Sequence, residues 1–380
     1  MDGKREHAAA LDQLVVAMPK AELHVHLEGT VKAETLRELA ARHGVRLPTD
    51  DEQLRRFYEF RDFPHFIEVF RAVCQCLREP ADFERITLDL GEEAARQNIR
   101  YLEVFFSPEP HVRQRGVSFE AMLGGMNAGR DEVRRRFGTE LRWIADGVRD
   151  ADIGGDSVSK TVEWLRHLDP AQGVLGLGLG GNEVGHPPAR YVDAFVAARR
   201  AGMRVVAHAG ETTGPETIWA TLRQLGAERI GHGIRAIEDP DLVAFLVEMR
   251  TPLEVCPTSN LRTGVVGSPE RHPFRALDDA GVFVTVNSDD PPMFGTTLTD
   301  EYRFLVHHFG YDADGIERIA LNAVRASFLP DDEKSRLLSE FEAEFVDLKR
   351  RLGLSGRQPS AGYAAPSAGE GGAAASTNAK

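Results

Sequence analysis

Apolar and polar positions along the chain fall into two alternating periods. Short runs dominated by β-branched and aromatic residues read as strands. The longer stretches between them, with apolar residues three to four apart, read as helices. The strand runs are AELHVH from Ala21, RYLEVFF from Arg100, ELRWIAD from Glu140, GVLGLGL from Gly173, MRVVAH from Met203, ERIGHG from Glu228, TPLEVC from Thr251 and GVFVTVNS from Gly281. Most are separated by helix-length segments. This repeated βα pattern predicts right-handed crossovers and a parallel sheet. Eight such units close into a (β/α)8 TIM barrel, an α/β fold.

The interval between the first two strands is unusually long. It carries LRELAARHG and RRFYEFRDFPHFIEVFRAVCQCL, both helical in pattern and rich in aromatics. It reads as a helical insertion after the first strand, either covering a site at the barrel mouth or packing on the barrel side. The pattern ends near Ser355. From there SGRQPSAGYAAPSAGEGGAAASTNAK is nearly all small, Gly, Pro and polar. Such a segment buries too little apolar surface to offset its ordering entropy. The expected organisation is therefore a barrel over 1–354 and a disordered low-complexity tail over 355–380.

A chain of 380 residues suits one such barrel and buries a large core without disulfides. Its three cysteines, Cys74, Cys76 and Cys256, show no framework spacing and point to a reducing compartment. The net charge of -13 disfavours nucleic acid and anionic membrane surfaces as partners. No apolar run is long enough to span a bilayer, and the first residues lack a secretory signal. A soluble, cytoplasmic protein with a small-molecule partner is expected.

The chemistry-bearing residues cluster at the C-terminal ends of the expected strands, the face on which barrel enzymes place their sites. His24 and His26 end the first strand, His208 the fifth and His232 the sixth; Asp289 and Asp290 follow the eighth. Because side chains alternate along a strand, the i, i+2 spacing of His24 and His26 points both imidazoles the same way. His208 and Asp289 on the same rim complete a set of three imidazoles and one carboxylate. That set suits one Zn²⁺ per chain, which lowers the pKa of a water to about 7. The fourth run, GVLGLGLGGNE, contains no lysine to bridge two metals, so a single ion is expected. Glu211, three residues past His208, either delivers a proton to a substrate ring or is a helix first-turn glutamate favoured by the dipole. His232 lies between Gly231 and Gly233, which permit close approach, and is placed to hold a hydroxide. Asp290, crowded against Asp289, is a candidate for a polar substrate atom.

In this order and at these spacings, PKAELHVHLEGT, AHAGE, IGHGI, CPTSN and SDDP resemble the adenosine deaminase family, from about Pro19 to about Leu348. The resemblance implies zinc on His24, His26, His208 and Asp289, and proton donation to purine N1 by Glu211. It also implies orientation of the hydroxide by His232, acceptance of a hydrogen bond from the N7 side by Asp290, and a backbone N–H from Gly181 to N3. Attack at C6 then releases ammonia. Glu28 stands where adenosine deaminases proper commonly carry an Asp directed at the ribose 5′-hydroxyl. That variant, with EFRDFPHFIEVF and LREPADFERI, is more similar to deaminases of 6-amino-6-deoxyfutalosine, a 5′-extended nucleoside on the way to menaquinone. The order of expected substrates is thus aminodeoxyfutalosine or a similar 5′-modified adenosine with adenosine accepted, then free adenine.

Two further readings compete: a catalytically silent binding barrel, and a metallohydrolase acting on an amide or phosphoester. No ligand or proton donor is missing, which disfavours the first; the absent bridging lysine disfavours the second. Zinc deaminases of the cytosine type carry PCxxC, which does not occur here. The three cysteines read as packing residues. His7, His43, His111, His167, His186, His272, His307 and His308 read as surface or helix-face residues. His65 shares that reading, with a contact on the 5′ side of a substrate as its alternative.

Overall fold

The computed structural model describes residues 2–47, 51–149 and 157–354; the expected tail lies outside them. Eight strands run in chain order around a barrel: β1 (Lys20–His26), β2 (Ile99–Phe106), β3 (Glu140–Val148), β4 (Val174–Gly180), β5 (Arg204–Ala209), β6 (Arg229–His232), β7 (Leu253–Val255) and β8 (Val284–Val286). Each pairs in parallel with the next. Every expected strand is present. β8 is shorter than its apolar run suggests, because Gly281 lies in a turn at φ 88 and the chain leaves the ladder after Val286.

The seam between β8 and β1 closes through residues beyond β8. The Leu23 N–H donates to the Asn287 side-chain oxygen at 3.0 Å. The His26 N–H then donates to the Asp289 carbonyl at 2.9 Å, and the Asp289 N–H to the His24 carbonyl at 3.1 Å. Asp289 is thus stitched by its backbone to both histidines of β1.

Strand alternation divides the core. Leu23, Val25, Leu102, Val104, Trp143, Leu177 and Leu179 belong to the large apolar layer between strands and helices. Phe105, Ile144 and Val206 pack with Phe328 in a separate small cluster inside the barrel. Residues one position removed from the outer set therefore reach the barrel interior, as a period of two requires. The β4 run makes this visible: Leu177 and Leu179 pack outward while Gly176, Gly178 and Gly180 leave space inside. A Cβ at Gly178 would lie 1.9 Å from Oδ1 of Asp146 on β3.

The insertion after β1 forms helices Ala33–His43, Asp51–Phe57 and Phe63–Cys74. Its second helical pattern is broken because Asp62 caps a new helix, its carboxylate accepting from the His65 N–H at 2.9 Å, with Pro64 in the first turn. Phe63, Phe66, Ile67 and Phe70 of that helix line the pocket at the barrel mouth. Phe66 also packs against Phe294, with ring centroids 5.1 Å apart. The insertion therefore both packs on the barrel and walls its mouth. Helix Asp2–Ala17 precedes β1 and buries Leu11, Leu14 and Val15; no element was expected there. Among the described residues, no helix is long and apolar enough to cross a membrane.

Candidate active site

The C-terminal ends of β1, β5 and β6 and the turn after β8 bring buried polar residues to one point. Ligand atoms of His24, His26, His208 and Asp289 all lie within 4.8 Å of one another. His26 Nε2 is 3.2 Å from His208 Nε2 and 3.3 Å from Asp289 Oδ1, and His24 Nε2 is 3.5 Å from the same oxygen. His24 Nε2 is buried without a hydrogen-bond partner.

The far nitrogens show which way each ring is turned. His208 Nδ1 is 3.0 Å from the Leu179 carbonyl, an acceptor only, so Nδ1 carries the proton and the Nε2 lone pair faces the cluster. His24 Nδ1 donates to Glu254 at 2.8 Å, which likewise frees its Nε2. His26 Nδ1 faces the Asp146 carboxylate at 3.7 Å. Imidazoles directed inward with their outer nitrogens on acceptors are the usual arrangement of metal-binding histidines. Burial opposes charge on His24, but the Asp289 and Glu254 carboxylates beside it outweigh that and lift its pKa to about 9. Burial also opposes charge on Asp289, yet the His24 and His26 imidazoles hold it well below the usual carboxylate range. The donor set fits a divalent cation.

A second grouping replaces two of these residues with His232 and Cys256. Its chemistry fits less well. Burial pushes the Cys256 thiol well up, whereas a metal takes a thiolate. His232 Nδ1 faces Asn260 instead, at 3.2 Å.

Two positions at the site occupy the left-handed backbone region, which non-glycine residues rarely enter: His232 at φ 57 and Asp289 at φ 65. Close packing explains the glycines beside them. A Cβ at Gly231 would sit 2.8 Å from His24 Cε1, and one at Gly29 would sit 1.7 Å from Asp290 Oδ1.

Glu211 and Asp290 line the pocket beside the cluster. Burial, then the Asp289 and Glu183 charges, push Glu211 well above its ordinary pKa. Burial and Asp289 do the same to Asp290, whose Oδ1 is buried and unpartnered. His232 Nε2 lies 3.8 Å from both Glu211 Oε2 and Asp289 Oδ2. Burial keeps that ring neutral, with a pKa near 3. Gly181, at φ 86, lines the opposite wall.

Glu28 sits behind the pocket wall. Its Oε1 accepts from the Ser107 N–H at 2.9 Å and faces His111 Nε2 at 3.2 Å. Burial opposes its charge, but His111 holds its pKa below the ordinary value. His111 is therefore no surface residue: it is buried in helix Pro108–Arg115 and lines the pocket in front of Glu28. His272 is also buried. His65 turns away, its Nδ1 accepting from the Arg61 N–H at 3.2 Å, and it is absent from the pocket lining.

Several residues at the site were not singled out from sequence. The Glu183 carboxylate accepts from the N–H groups of Gly210 and Glu211 at 2.9 Å, from Thr212 N–H at 3.1 Å and from the Thr213 hydroxyl at 2.6 Å. It clamps the loop that carries Glu211. The Ser259 hydroxyl donates to Asp289 Oδ2 at 2.6 Å. Asp146, at the C-terminal end of β3, has its pKa lifted to about 7 by burial. The signal for Asp146 was its position at a strand end; Glu183 and Ser259 lay inside the quoted GGNE and CPTSN motifs.

An eight-stranded parallel barrel whose strand ends gather three inward-facing imidazoles, a buried aspartate and a glutamate pushed well above its ordinary pKa defines a metal-dependent hydrolase of the amidohydrolase kind. Comparison with known proteins agrees. The adenosine deaminase family model matches residues 19–344. An aminodeoxyfutalosine deaminase of Streptomyces avermitilis is 43% identical over 335 residues, covering 87% of this chain and 92% of that protein. The crystal structure of an adenine deaminase from Arthrobacter aurescens superposes with a TM-score of 0.82 at 36% identity, covering 87% of this chain and 100% of that one. A zinc-bound amidohydrolase from Burkholderia ambifaria superposes with a TM-score of 0.84 at 28% identity, covering 91% of this chain and 96% of that one.

The chain belongs to the adenosine deaminase family. It is a hydrolytic deaminase.

Proposed function

We propose that the protein hydrolyses the 6-amino group of a 5′-extended adenosine, aminodeoxyfutalosine in the first place. Adenosine is accepted, and free adenine is the weaker alternative. The observation that carries the deaminase chemistry is the meeting of His24, His26, His208 and Asp289 within 4.8 Å of one another, beside a buried Glu211 whose pKa is pushed well up. The 5′-extended substrate is supported by the S. avermitilis relative and by the shape of the mouth. There an apolar wall of Phe63, Phe66, Ile67 and Phe70 continues outward to Arg71, Gln114 and Arg115. Free adenine would leave that wall uncovered.

His24, His26, His208 and Asp289 would hold one zinc ion, which supplies a Lewis acid that makes hydroxide available at neutral pH. Glu211, kept protonated by burial, delivers its proton to ring N1 as C6 is attacked. The Glu183 clamp fixes the backbone of that donor. Asp290, whose carboxyl burial and Asp289 push well above its ordinary pKa, hydrogen-bonds on the N7 side. Gly181 offers its N–H to N3. Glu28 acts on the 5′ side through His111 and Ser107 rather than by touching the sugar itself.

The test is a substrate panel read by ultraviolet absorbance. It compares aminodeoxyfutalosine, 5′-methylthioadenosine, S-adenosylhomocysteine, adenosine, 2′-deoxyadenosine and adenine. The highest kcat/KM is expected for aminodeoxyfutalosine, with adenosine measurable. Turnover confined to adenine would overturn the substrate assignment, and turnover of none would overturn the purine reading.

A further inference from the structure

His232 approaches the reacting face with one ring nitrogen, and two opposite roles are open to it. With a lone pair at Nε2 it would take a proton from the attacking water. With a proton there it would donate to, and steady, the oxygen that attacks. These roles require different tautomers, and the tautomer is set by what the other nitrogen does.

A chain of buried hydrogen bonds decides this from an unambiguous end. The Phe274 backbone N–H, which can only donate, points at His272 Nδ1 at 3.1 Å. His272 Nδ1 is therefore the acceptor and its proton resides on Nε2. His272 Nε2 is 3.1 Å from Asn260 Oδ1 and donates to it. The Asn260 amide is thereby oriented, and its Nδ2 donates to His232 Nδ1 at 3.2 Å. His232 Nδ1 is an acceptor, so its proton lies on Nε2, facing Glu211 and Asp289. All three side chains are buried or nearly so, at 5% exposure for His272, 0% for Asn260 and 1% for His232. Burial holds His272 neutral, with a pKa near 3, so protonation does not rewrite the chain near neutral pH.

We infer that His272 and Asn260 fix His232 as the Nε2–H tautomer, making His232 a hydrogen-bond donor to the attacking oxygen and not its base. His272 and Asn260 are positioning residues: neither lines the pocket. The donor role of His232 rests on the deaminase reading above; its tautomer does not. A donor aimed at an oxygen that carries negative charge contributes most in a buried setting, and the His232 ring is buried.

The experiment uses the full-length protein with imidazole ¹⁵N label, read by long-range ¹H–¹⁵N correlation with and without metal. His232 is assigned by its loss in His232→Gln. The wild type should show the Nε2–H pattern at His232 in both states. In Asn260→Asp a carboxylate accepts from both rings, so His232 should switch to the Nδ1–H pattern. Its kcat should fall about 10²–10³-fold, the worth of one such donor, with KM within threefold and metal content unchanged. His272→Phe keeps the ring volume but removes the donor to Asn260, while His272→Gln retains one. The Phe variant should lose about tenfold or more in kcat and the Gln variant should recover most of it. An Nδ1–H pattern at His232 in the wild type would overturn the inference. So would a switched tautomer in Asn260→Asp with turnover unchanged, or equal kcat in the Phe and Gln variants. If no purine is turned over while the Nε2–H pattern is found, the functional reading fails and the tautomer assignment stands.

Discussion

The floor and the rim of this barrel both bury charge, and they treat it oppositely. At the floor, Arg229 of β6 lies between Glu103 of β2, at 2.6 Å, and Glu254 of β7, at 2.5 Å. Its third contact is the Ala326 carbonyl at 3.0 Å, and its guanidinium lies 3.7 Å from the centroid of Phe328. Glu103 also accepts from the Tyr101 hydroxyl at 2.8 Å and the Phe328 N–H at 2.5 Å. There each charge faces its opposite. At the rim, the Asp289 and Asp290 carboxylates are neighbours, and burial together with Asp289 pushes Glu211 and Asp290 well above their ordinary pKa values. Buried charge that is matched holds a structure together. Buried charge left unmatched prepares a site for an ion, a proton or a substrate. Glu254 belongs to both regions: one oxygen binds Arg229 and the other binds His24 Nδ1.

Substitutions at the two levels should therefore fail in different ways. The largest effect on turnover is expected for Glu211→Gln. It should retain metal and fold but lose about 10²–10⁴ in kcat, the usual worth of a positioned general acid. Burial raises the pKa of Glu211, so wild-type activity should persist above pH 4.5 and fall only as pH rises through the shifted value. The Gln variant should lack that alkaline limb; steady-state pH profiles of both proteins check this.

Arg229→Met should act on stability instead. Leaving Glu103 and Glu254 buried without their cation should cost about 3–5 kcal/mol of unfolding free energy, read by denaturant titration. Loss of kcat with stability intact would erase the distinction between floor and rim. Glu254→Gln tests the link between them. It leaves a single uncharged acceptor oxygen where His24 and Arg229 each had their own, and metal affinity should fall about 10–100-fold in a chelator competition. The loss of stability should be smaller than for Arg229→Met, since Gln keeps the volume and a hydrogen-bonding group.

The same contrast explains what could be read from sequence. The strands were legible because buried parallel strands write continuous apolar runs, and the rim histidines because an i, i+2 pair at a strand end has few other uses. The floor was not legible: Glu103, Arg229 and Glu254 sit inside apolar strands, and only the closed barrel shows that they meet. His111 and His272 were misjudged for a related reason. Each lies outside a strand, and its burial depends on a partner far away, Glu28 for the first and Asn260 for the second, pairs 83 and 12 residues apart. The aromatic insertion helix was legible as a helix, but which ring faces the pocket was not. His65 stays out of the pocket because the cap at Asp62 sets the helix phase.

The most direct measurement of the central claim is metal content per chain in the wild type and in His26→Ala, by inductively coupled plasma mass spectrometry after gel filtration. One zinc in the wild type and almost none in the folded variant would agree with a single ion held at the rim. Two ions in the wild type, or a full complement retained by His26→Ala, would contradict it.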